Sequence, residues 1–90
     1  MRKIELDVRC IHTVKALHVY LAYKLDLPAN YGCNLDALYD VLSTESEPAA
    51  ITLLGPAAAR SELEGYMPGL ISVFEDCAQE NSRIVFTLKA

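Results

Sequence analysis

The stretch Leu27-Pro28-Ala29-Asn30-Tyr31-Gly32-Cys33-Asn34-Leu35-Asp36-Ala37-Leu38-Tyr39-Asp40 divides this chain into its parts. Pro28 ends whatever helix precedes it, because proline restricts the residue before it and cannot continue a helix. Asn30-Tyr31-Gly32 is turn chemistry, with Gly32 the expected carrier of a positive φ. Asn34 is placed to cap a second helix over about residues 35–43. The apolar stripe of that helix is Leu35, Leu38 and Leu42, with Val41 beside it. Asp36 falls in the first turn, where the helix dipole favours a carboxylate.

Working outward, Val14, Leu17, Leu21 and Leu25 recur at helical spacing behind Thr13, which predicts a first helix over 14–25. Before it, Ile4, Leu6 and Val8 alternate with Glu5 and Asp7, the period of a half-buried strand. On the far side, residues 43–48 are a polar loop and Ala50–Leu54 a short apolar strand. Gly55-Pro56 is predicted to open a third helix that Gly65 closes, and Pro68 to start a fourth running to about Asn81. Leu70, Val73, Phe74 and Cys77 form the stripe of the fourth, and Ile84–Leu88 is the last strand. The order β-α-α-β-α-α-β leaves well over a dozen residues between successive strands, so they pair in parallel. Right-handed crossovers running one way then place the helices on one face. The expectation is a single α/β domain over 1–90, in two layers, with a three-stranded parallel sheet and about four helices.

Composition narrows the function. The chain has 90 residues, 52% hydrophobic and 22% charged, which suits one folded domain. No apolar run is long enough to span a membrane, and the N-terminus lacks the apolar core of a signal peptide, so a cytoplasmic protein is expected. Cys10, Cys33 and Cys77 are odd in number and form no Cys-x-x-Cys pair, which suggests neither disulfides nor structural zinc. Cys10, His12 and His18 lack a recognised ligand spacing, and no metal or other cofactor is expected.

The net charge is −4, unevenly spread. Residues 25–59 carry Asp26, Asp36, Asp40, Glu45 and Glu47 and no Lys or Arg. Asp36 and Asp40 lie four apart on the second helix, and Asp76 and Glu80 repeat that spacing on the fourth. Like charges so placed destabilise a helix slightly. Such a surface repels nucleic acid and attracts a basic protein. Three uses compete: a carboxylate acid/base pair of a small hydrolase, a divalent-cation site, and a protein-binding face. The hydrolase lacks a phosphate loop, a metal set or a nucleophile elbow, and the acidic spacing is not that of a calcium loop. The protein-binding face gains from Tyr31 and Tyr39, aromatics with charged neighbours being frequent interface anchors.

The chain resembles the barstar family, intracellular inhibitors of barnase-type secreted ribonucleases. The resemblance is carried by Leu27-Pro28-x-x-Tyr31-Gly32-x-Asn34-Leu35-Asp36-Ala37-Leu38-x-Asp40, and more weakly by Val73-Phe74, Asp76 and Glu80. It implies a non-enzymatic protein whose turn and second helix plug the basic active site of a ribonuclease. Asp40 would occupy the position of an RNA phosphate, Asp36 would meet basic groups at the rim, and Asn34 and Leu35 would also touch the enzyme. Asp76 stands where the family has Glu, and Glu80 matches an acid. Tyr31, Gly32, Asn30 and Tyr39 complete the expected partner-binding set. Family aromatics are replaced at Asn30 and Tyr39, a Gly-Trp pair aligns near Thr44 and Glu45, and Cys33 stands in place of an acid. The implied partner is a basic microbial ribonuclease, barnase-like or of the related guanyl-specific class, bound one to one by a monomer. The alternative is a regulator or immunity protein of the same fold that binds another basic protein or toxin domain.

Overall fold

β1 (Arg2–Asp7), β2 (Ala49–Leu54) and β3 (Ile84–Lys89) form one parallel sheet in the order β1-β2-β3. The computed structural model describes residues 2–55 and 62–89. The register sets Ile4 beside Ile51 and Ile51 beside Phe86, and Leu6 beside Leu53. One face of the sheet is therefore a continuous apolar layer, and Ile4, Leu6, Ala49, Ile51, Leu53 and Ile84 are buried in it. Lys3 and Glu5 alternate onto the other face and are exposed. As predicted, the sheet is parallel and the fold is α/β.

α1 (Val14–Leu25), α2 (Leu35–Ser43) and α3 (Glu62–Glu80) supply the second layer. Leu17, Leu21 and Leu25 of α1, Leu38 and Leu42 of α2, and Leu63, Met67, Leu70, Phe74 and Cys77 of α3 join the sheet in a single core. Phe74 stacks on Phe86 at a centroid distance of 5.1 Å, which seats α3 on β3. The Thr13 hydroxyl accepts the Ala16 N–H and caps α1 as predicted.

Two expectations about helices are corrected. The predicted third helix lies partly on residues 56–61, outside the described residues. Its remainder, from Glu62 through Gly65, is continuous with the predicted fourth, so the described residues hold three helices. Pro68 sits inside α3 rather than at its start. Leu63, Met67, Leu70, Phe74 and Cys77 form one buried stripe that crosses the proline. Burying the four large side chains Leu63, Met67, Leu70 and Phe74, at roughly 1.5–3 kcal/mol each, outweighs an interior proline costing about 3 kcal/mol. Pro68 is itself exposed, and the Glu64 carbonyl it leaves without a helical donor belongs to an exposed residue near the helix start.

The first helix also stops before Pro28. Asp26 takes the left-handed conformation (φ 54°), and the Leu27 N–H turns back to the Ala22 carbonyl at 3.0 Å. Gly55, just after β2, does have a positive φ of 75°, and a Cβ there would collide with the Arg9 side chain.

Candidate functional site

The candidate surface begins where the chain leaves α1. The Tyr31 N–H donates to the Pro28 carbonyl at 3.0 Å, closing a turn that leaves Asn30 exposed. The left-handed residue here is Cys33 (φ 54°), and Gly32 is not among the positive-φ positions. The Asn34 side chain explains the arrangement. Its Oδ1 accepts the Ala37 N–H at 2.7 Å, capping α2, while its Nδ2 donates back to the Gly32 carbonyl at 3.2 Å. One residue thus ties the turn to the helix, and the reversal falls on Cys33 between them.

α2 lies along α3. A Cβ on Gly69 would come within 3.0 Å of Leu35 Cδ1, so a small residue at 69 leaves room for Leu35. Further along, the Cys77 thiol approaches the Tyr39 carbonyl at 3.8 Å. At the far end, Asn81 Nδ2 donates to the carbonyls of Leu42 and Glu45 at 3.0 and 2.9 Å. The two helices therefore run in the same direction. With Leu38 and Leu42 buried, Asp36, Tyr39 and Asp40 share another side of α2, at spacings of three and four.

Asp36 and Asp40 are exposed, as are Asp76 and Glu80 on α3. The half-buried Tyr39 joins the two helices, its hydroxyl donating to the Glu80 carboxylate. That bond, with partial burial and the negative charges of Glu80 and Asp76, pushes the Tyr39 hydroxyl up to about 12. Burial, then Glu80 and Asp76, raise the Cys77 thiol to about 11, so it stays protonated. In both shifts the charges of Glu80 and Asp76 add to a larger cause, the Glu80 hydrogen bond for Tyr39 and burial for Cys77.

Among the described residues, the ion pairs are Arg2 with Glu45 and with Glu47, each at 3.9 Å, and Arg9 with Asp7 at 2.7 Å. Arg2 thus reaches across from β1 to two acids of the basic-free middle segment. None of these pairs involves Asp36, Asp40, Asp76 or Glu80. Arg9 holds the Asp7 carboxyl down to about 2. Among the same residues, no group of three or more His, Cys, Asp and Glu is arranged to hold a metal ion, and no helix is long and apolar enough to cross a membrane. A groove bordered by Lys15, Val19, Tyr20 and Tyr23 on α1 has no acidic lining.

The family model described as Barstar (barnase inhibitor) matches residues 1–90 of this chain. The chain belongs to the barstar family. It is also similar to a protein of Bacillus subtilis (strain 168) named "Putative ribonuclease inhibitor YrdF", with 35% identity over 81 residues covering 89% of each chain.

The barstar-family positions expected to bind a partner fall on one connected stretch of turn, α2 and the end of α3. Asn30, Gly32, Asn34, Asp36, Asp40, Asp76 and Glu80 are exposed, while Tyr31, Leu35 and Tyr39 are half-buried. The hydroxyls of the two tyrosines are engaged inside the protein, Tyr39 with Glu80 and Tyr31 with His18 at 2.7 Å. Sequence reasoning gave no supporting role to His18, Tyr66 or Asn81, whose hydrogen bonds hold the turn and α2 from within the fold. His18 follows Leu17 and precedes Leu21 by three, so it falls on the buried stripe of α1, where a polar ring requires partners. That signal was in the sequence, but the identity of the partners was not.

Proposed function

We propose that this barstar-family chain is a protein inhibitor of a basic microbial ribonuclease, barnase-like or guanyl-specific, bound as a one-to-one complex. The observation that carries the reading is the exposed pair Asp36 and Asp40 on a capped helix, with Asp76 and Glu80 exposed on α3, none of them used by an ion pair among the described residues. A carboxylate is attracted by the same Arg, Lys and His side chains that hold an RNA phosphate. In this mechanism Asp40 occupies the phosphate position in the enzyme and Asp36 meets basic groups beside it. Asn34, Leu35 and the edges of Tyr31 and Tyr39 give the plug its shape. Asp76 and Glu80 extend the negative field that steers the encounter. The name carried by the Bacillus subtilis relative supports the same activity.

A second partner class is favoured by one particular: the exposed Asn30 and the engaged Tyr39 stand where the family has aromatics. The same acidic face would then meet a basic toxin domain whose rim lacks the complementary stacking groups.

The test is inhibition of a panel of secreted microbial ribonucleases by the parent and by Asp40→Ala, at low and moderate salt. The expected result is tight inhibition that the substitution weakens by about 2–5 kcal/mol, the general cost of truncating one partner of a buried charge pair, for which barnase and barstar are themselves reference cases. The association rate should fall steeply with ionic strength. An Asp40→Ala protein as potent as the parent refutes the phosphate-mimic mechanism.

A further inference from the structure

His18 is completely buried, and each of its ring nitrogens meets a tyrosine hydroxyl. Nδ1 lies 2.7 Å from the Tyr31 hydroxyl and Nε2 lies 2.6 Å from that of Tyr66. The rings pack against the imidazole at centroid distances of 5.8 and 5.7 Å. The Tyr31 hydroxyl is in turn 3.4 Å from the Asn34 carbonyl. That carbonyl also accepts the Leu38 N–H at 3.0 Å, the first bond of α2.

A neutral imidazole has one donor and one acceptor. The direction that satisfies every group runs from Tyr66 O–H to Nε2, from Nδ1–H to the Tyr31 oxygen, and from Tyr31 O–H to the Asn34 carbonyl. The proton on Nδ1 is thus assigned from the network. The chain of bonds starts on α3, passes through α1 and ends on the cap of α2. An apolar side chain at position 18 would fill the same volume in the core. It would not tie three helices together beneath the turn that starts α2.

We propose that His18 is a positioning residue for the partner-binding face: it holds Tyr31 and hence the turn 30–34 in place, while Tyr66 fixes the orientation and tautomer of its ring. A satisfied buried network rigidifies what it connects. A turn already fixed before binding has less to lose on association, which shows chiefly as slower dissociation. The functional half of the proposal rests on the inhibitor reading; the structural half does not.

The experiment uses Tyr66→Phe and His18→Phe, which remove polar links and keep bulk. Amide hydrogen exchange compares Tyr31, Ala37 and Leu38, whose N–H groups bond to Pro28 and Asn34, with the β2 amides as the reference. Protection at the turn should fall roughly tenfold more than at β2 in either variant, consistent with loss of a buried bond. Equal loss at the turn and in β2, or none at the turn, overturns the proposal. Tyr66→Phe carries the test if His18→Phe fails to fold. The imidazole 15N spectrum of the parent should show the Nδ1–H tautomer, and an Nε2–H tautomer would refute the assigned relay. Against a ribonuclease that the parent inhibits, Tyr66→Phe should dissociate roughly tenfold faster at an unchanged association rate, because the acidic residues are untouched. An unchanged dissociation rate with a loosened turn overturns the functional half. If the parent inhibits no ribonuclease, the inhibitor reading fails by itself, while exchange and tautomer still decide the positioning role.

Discussion

Asp40→Ala should make the free protein more stable while it weakens the proposed inhibition. Asp36 and Asp40 are like charges four apart on one helix, and relieving that repulsion returns about 0.2–0.5 kcal/mol. Asp40 also lies three residues from the end of α2, which has no basic residue in its last turn. A carboxylate there opposes the helix dipole by roughly 0.3–1 kcal/mol. Alanine further exceeds aspartate in helix propensity by up to about 0.7 kcal/mol. None of the ion pairs among the described residues uses this carboxylate, so its removal breaks none of them. The expected gain is therefore about 1–2 kcal/mol, with each kcal/mol raising the melting temperature of a chain this size by about 4–8 °C. Urea denaturation, read as a shift in midpoint at constant slope, measures it. Asp40→Asn, which removes the charge and not the propensity deficit, should recover a smaller share. A destabilised or unchanged Asp40→Ala would refute the reasoning, because the carboxylate would then have a structural partner and would not be held in reserve for another protein.

Asn81→Ala should destabilise the fold by about 2–4 kcal/mol in urea denaturation, since the side chain bonds the Leu42 and Glu45 carbonyls and accepts the Arg83 N–H. Phe74→Ala should lose about 3–5 kcal/mol, measured in the same way, because it empties a fully buried site stacked on Phe86. Burial pushes His18 below its ordinary value of 6.5, so the unfolded chain binds a proton that the folded chain resists. Stability should be complete above that pH and decline as pH falls below it. His18→Gln should flatten the change in urea midpoint between pH 7.5 and 5.5. Asp7, held at about 2, adds its own loss only below its ordinary 3.8.

The strands, the first two helices and the acidic face were legible because each is written locally. The alternation of Ile4 and Leu6, the Thr13 and Asn34 caps, and the spacing of Asp36 and Asp40 need only a few neighbouring residues. The misread features depend on distant ones. Pro68 and Gly65 look like helix boundaries until the stripe from Leu63 to Cys77 is seen packed in one core. Gly32 is the natural candidate for a left-handed residue, but the grip of Asn34 on the Gly32 carbonyl moves the reversal to Cys33. The His18 relay joins residues from three elements, and no local pattern announces which hydroxyls a buried ring will meet. On the proposed binding face, the acids could be placed from sequence, whereas the engagement of Tyr39 with Glu80 could not.

The strand order has a consequence for how the molecule comes into being. β2 is central, and neither of its partners is near in sequence: Arg2 pairs with Ala49, and Ala49 with Ile84. Each ladder forms only after a long crossover has closed, an entropic cost met before any strand contact compensates it. The support for α2 comes from α3 and Asn81, which are synthesised after it. A nascent chain therefore has its acidic helix but not the scaffold that sets it. Folding should be slow for a domain of this size, and the face should acquire its shape only once the final strand has docked.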